Sequence, residues 1–128
     1  MDGPYAEAMR KISIEALAMR KISIEALARQ QLQAARAAKS GRAADTVYGG
    51  HEKVLRQTVM GMTQGTVMAE HENPGEATIY VLEGRVRLRM GDDFWQARTG
   101  DLLIVPDGRH SLEAEEDAVV LFTVAKLS

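Results

Sequence analysis

The sequence predicts a mainly β chain, an antiparallel sandwich or small barrel preceded by an α-helical arm. Three observations carry that expectation. From about residue 46, short runs rich in Val, Leu, Ile and Thr alternate with Gly/Asp turns, whereas the first 45 residues are rich in Ala and Gln. Charge changes at the same place: 8 Lys/Arg against 5 Asp/Glu in residues 1–45, and 8 against 13 in residues 46–128. At 128 residues the chain has the size of one domain with its own core.

In the arm, the decapeptide MRKISIEALA occupies residues 9–18 and recurs at 19–28. One repeated decapeptide is not a solenoid. Ten residues turn a helix by ~1000°, about 80° short of whole turns, so the two copies cannot present one face along a continuous helix. The second copy, which runs on into RQQLQAARAAKSG, is expected to dock, and deletion of 9–18 is expected to leave stability nearly unchanged. Ser23 has the character of an N-cap, and Glu25 suits the positive end of the helix dipole. Ile24, Leu27, Ala28, Leu32 and Ala35 form an apolar stripe opposite Arg29, Gln33 and Arg36, with Lys39 in the last turn and Gly41 at C′. Such a stripe predicts a helix packed on the chain's own sheet, with a partner-binding arm as the alternative.

Strands are expected at 54–60, 66–69, 78–82, 85–90, 94–98, 102–105, 111–114 and 118–124. In the fourth, Val86, Leu88 and Met90 face one side and Arg85, Arg87 and Arg89 the other. Phe94 and Trp95 are packing residues or the wall of a barrel mouth. Tyr80 falls on the opposite face from Ile79 and Val81, and Met60, Met62, Met68 and Met90 are adaptable filler. The arginine strip is a solvated face or a surface for Glu113, Glu115, Glu116 and Asp117 of another copy. Gly61 and Gly65 bracket a turn rather than a phosphate loop.

The chain has no cysteine, which excludes a disulfide framework and a thiol nucleophile. No apolar run reaches the ~20 residues of a membrane helix, and no secretory h-region is visible, so a cytoplasmic protein without membrane partners is expected. A net charge of −2 argues against nucleic acid.

Gly65 followed after five residues by His71, the Val81-Leu82-Glu83-Gly84 hairpin, and Gly100-Asp101 followed by Pro106, Gly108 and His110 together resemble the cupin motifs. The stretch GTVMAEHENPGEATIYVLEG is similar to that of small single-domain bacterial cupins with a helical arm. The resemblance implies a double-stranded β-helix, or jelly-roll barrel, at 46–128 behind an arm at 1–45, and a homodimer. The apolar last strand is consistent with a central or interface position. The resemblance also implies a divalent metal held by two His and a Glu of the first motif and a His of the second. His71 fills the first position and His110 the last, although it comes one residue early. Asn73 stands at the second His position and Ala77 at the Glu position. Glu76 is the neighbour of that vacancy but would need a bulge to turn inward, and His51 lies outside both motifs.

The expected ligand pocket holds His71, Asn73, His110, Ile79, Val81 and Trp95. The expected function is binding or sensing of a small molecule in the barrel, with the metal site degraded and no cofactor favoured. The alternative is a metal-dependent enzyme of oxygenase or isomerase type. It would use His71 and His110 as ligands, with Glu76 or His51 in support and Glu76 or Glu72 as general base. An interaction protein using the basic arm and acidic barrel is the third possibility.

Overall fold

The computed structural model describes residues 21–72 and 75–126. The decapeptide copy at 9–18, and the expectation that its deletion is silent, lie outside the described residues. So does Asn73.

The helix α1, Ile24–Ala37, begins where Ser23 accepts a hydrogen bond from the Ala26 N–H at 3.1 Å, as an N-cap should. Glu25 pairs with Arg29 one turn on. The helix ends earlier than the sequence suggests. Ala38 is the C-cap, and Gly41, at φ +73°, turns the chain from the helix into the first strand. Its position is fixed by its neighbours, because the Gly41 carbonyl accepts from the Thr63 N–H at 2.9 Å. Arg36, not Lys39, is the basic residue of the last turn.

Among the described residues nine strands follow: β1 Arg42–Tyr48, β2 Leu55–Met62, β3 Val67–His71, β4 Gly75–Glu83, β5 Arg85–Met90, β6 Asp93–Arg98, β7 Leu102–Val105, β8 His110–Ala114 and β9 Ala118–Lys126. They form a five-stranded sheet in the order β1-β2-β9-β4-β7 and a four-stranded sheet in the order β3-β8-β5-β6. All pairings are antiparallel. β1 begins inside the stretch read as arm. Arg-Ala-Ala-Asp has little intrinsic strand preference, and its extended form comes from the ladder with β2.

The two inner faces meet in one core containing Met62, Ile79, Val81, Val86, Leu88, Leu112, Val120 and Val124, each fully buried. A second cluster lies on the outer side of the larger sheet. There Ala28 and Leu32 of α1 pack on Val59 and Val119, with Ile24, Leu27, Leu82 and Leu121 around them. β9 therefore has a core on its inner face and α1 on its outer face, and the chain itself accounts for its apolarity on both sides. Gly61 is not a turn residue. It lies within β2, where a Cβ would stand 2.5 Å from the Gln31 carbonyl oxygen, and this close approach seats α1 on the sheet.

Three of the four acids that the sequence offers to a second copy, Glu115, Glu116 and Asp117, are paired within the chain. Arg87 bonds Glu115 at 3.1 Å, Arg85 pairs with Glu116 at 3.5 Å, and Arg36 pairs with Asp117 at 3.0 Å. Phe94 shares the outer face with this strip, and the Arg87 guanidinium lies 4.6 Å from its ring centre. No helix among the described residues is long and apolar enough to cross a membrane.

Candidate functional site

The site is the end of the barrel where β3 meets β8. Met68 pairs with Leu112, and His71 pairs with His110. Between those pairs β3 advances three residues and β8 only two, so β3 carries a bulge at Ala69-Glu70. Strict alternation from the inward Met68 would turn His71 outward. The extra residue restores its inward aim. The sequence suggested a bulge only for Glu76; the structure has one that serves His71.

The two imidazole rings lie 4.5 Å apart between centroids, tilted by 60°. Each Nδ1 is bonded to the carbonyl two residues upstream, His71 to Ala69 at 3.0 Å and His110 to Gly108 at 3.1 Å. A carbonyl can only accept, so each Nδ1 carries the proton and each Nε2 of a neutral ring is an acceptor. His110 is fully buried, and its Nε2 has no hydrogen-bond partner among the described residues. Burial holds the His110 pKa below its ordinary value. The Gly108 carbonyl opposes that shift, and the nearby His71 adds to it. The shortened loop from Pro106 to His110 thus still delivers an inward histidine, with Gly108 at φ +114° making the turn.

The other expected site residues are distributed differently. Ile79 and Val81 face inward but are fully buried in the core, so they floor the barrel rather than line an open cavity. Trp95 has inward parity opposite Leu88, yet it lies on the edge strand β6 and is 45% exposed. The ring beside His71 is that of Phe122, 6.5 Å away. Phe122 was missed, although its alternation with Val120 and Val124 on β9 marks it as inward. Tyr80 is on the outer face, as its parity requires.

Against a divalent metal, the described residues supply two imidazole nitrogens and no carboxylate. Ala77 occupies the inward position of β4 and is buried, while Glu76 is exposed on the other face. Glu72 and His51 are also exposed. No group of three or more His, Asp or Glu among the described residues can hold a metal ion. A catalytic metal centre needs about three strong protein ligands, so the described residues do not fit one.

Comparison with known proteins follows the same lines. The chain resembles a conserved protein of unknown function from Streptococcus pyogenes, with 23% identity over 71% of this chain and 79% of that one, at a TM-score of 0.64. An RmlC-like cupin protein from Desulfovibrio desulfuricans shares 26% identity over 66% of this chain and 81% of its own, at a TM-score of 0.58. Salicylate 1,2-dioxygenase from Pseudoaminobacter salicylatoxidans has a TM-score of 0.67 at 21% identity, covering 81% of this chain but 33% of the enzyme. A search of curated proteins finds no match. The Cupin domain family profile matches residues 58–125, and with the two sheets and their topology this places the chain in the cupin family.

Proposed function

We propose that this chain is a small-molecule-binding or sensing cupin whose ligand sits against His71 and His110. One observation carries the reading: a fully buried His110 Nε2, without a partner among the described residues, stands beside His71, while Ala77 supplies no carboxylate. A buried acceptor left unpaired costs ~1–3 kcal/mol, so a ligand donating an N–H or O–H to it recovers that cost. Phe122 and Met68, both packed against the core, give the ligand apolar surroundings. The homodimer and the cytoplasmic location expected from the sequence belong to this reading. A light-scattering mass of one chain would overturn the dimer.

Native mass spectrometry of protein purified without chelator or added metal tests the proposal. A retained organic ligand that is lost in His110→Phe is the supporting result. Stoichiometric metal lost in His71→Ala, with no organic ligand, would favour the metal-dependent enzyme instead. That second reading rests on the Nδ1 bonds to backbone carbonyls, the orientation that metal-ligating histidines use. It requires a further ligand from outside the described residues.

A further inference from the structure

α1 covers only part of the outer face of the five-stranded sheet. It lies over β1 and β2 and only reaches β9, and β4 and β7 continue the same face. There Tyr80 stands in register with Leu121 on one side and Leu102 on the other, and Thr78 with Thr123 and Ile104. Tyr80, Leu102 and Ile104 are 39%, 54% and 70% exposed. An open groove of about 520 Å³ runs beside them between Glu76, Ile104 and Asp107. β7 is also the edge of the sheet. An apolar edge strand exposed on its face is a surface that proteins normally cover.

The segment upstream of α1 has the composition to cover it. The heptapeptide ISIEALA at 22–28 supplies Ser23, which caps α1, and Ile24, Leu27 and Ala28, which meet the sheet. The same heptapeptide stands at 12–18, with Ile14, Leu17 and Ala18 in the corresponding places. Residues 21–23 are not helical, so the upstream copy need not follow the axis of α1.

Reach and charge agree. The C-terminal end of α1 is held by Arg36 at Asp117, just before β9, and the helix runs back over β1 and β2 with Leu121, the neighbour of Tyr80, at the border of its cluster. The five residues from Ala18 to Ser23 span up to ~17 Å. β7 lies three strands from β2, about 14 Å away and still within that reach. Glu76 and Asp107 border the groove on the uncovered face, and Arg10-Lys11 precede the upstream heptapeptide.

We propose that residues 12–18 dock on the β4–β7 face of their own chain, beside α1. The proposal replaces the expectation that deletion of 9–18 is silent. Because the chain has no cysteine, the double variant Leu17→Cys/Ile104→Cys provides a single thiol pair, and the exposure of Ile104 keeps the substitution out of the core. Treated with a short bis-maleimide, the full chain is expected to form an intrachain cross-link. Leu17→Cys/Arg89→Cys, with its second thiol on the other sheet, is expected to form none. No cross-link for the first pair, or cross-links only between chains, would overturn the proposal. Deletion of residues 9–18 is expected to raise amide exchange at 102–105 at least tenfold, and unchanged exchange would count against it.

Discussion

His71 stands directly opposite His110 because β3 has one residue more than β8 between this pair and the Met68–Leu112 pair. Removing the extra residue by deleting Glu70 is expected to turn His71 to the outer face. Binding at the histidine pair should fall at least tenfold while the fold survives, as read by ligand titration alongside circular dichroism. Unchanged binding would mean that the bulge does not aim His71.

His110 makes stability depend on pH. Its folded pKa lies below the ordinary histidine value of 6.5, so in the window beneath that value the unfolded chain binds more protons than the folded one. Stability is therefore fully present above about 6.5 and is lost as pH falls through the folded pKa. Denaturant melts at pH 7.5, 6.5 and 5.5 are expected to show this decline, and His110→Phe should flatten it. A variant with the wild-type slope would assign the effect elsewhere.

Ala77 faces the histidines' end of the barrel from β4, in the place where the family's carboxylate is expected. Ala77→Glu is therefore expected to create a third ligand and to raise affinity for zinc or nickel at least tenfold, measured by calorimetry. Without metal the same change should cost about 1–3 kcal/mol of stability, since it overfills a packed position and buries a carboxyl. No gain in metal affinity would separate Ala77 from the site.

Gly61 lets α1 approach β2. A methyl group there meets the backbone of Gln31 and Leu32, which cannot move aside as a flexible side chain would. Gly61→Ala is expected to destabilise by ~1–3 kcal/mol in chemical denaturation. Leu32→Ala, which empties the other side of the same contact, should cost ~2–5 kcal/mol. A neutral Gly61→Ala would show that the helix seat is looser than the structure has it.

Much of the fold was legible in the residues themselves. Alternation gave β5 its bounds and its two faces, Pro106 marked the end of β7, and Ser23 announced α1. β1 was not legible, because Arg42–Asp45 become a strand only by pairing with β2. The end of α1 was misplaced because Gly41, the expected C′ glycine, answers to Thr63 and a turn rather than to the helix. The site was half legible. Motif spacing singles out His71 and His110, while Phe122 beside them reads as one residue of an apolar strand.

The sequence by itself determined the periodicities, the turns and the identity of the two histidines, because these depend on residue type and local spacing. Only the tertiary structure decided which way His71 points, that Glu76 faces away from it, and that the acids after β8 belong to arginines of the same chain. Each of these depends on register between strands distant in sequence. A single extra residue reverses a side chain's face, and no local pattern records where that residue is absorbed.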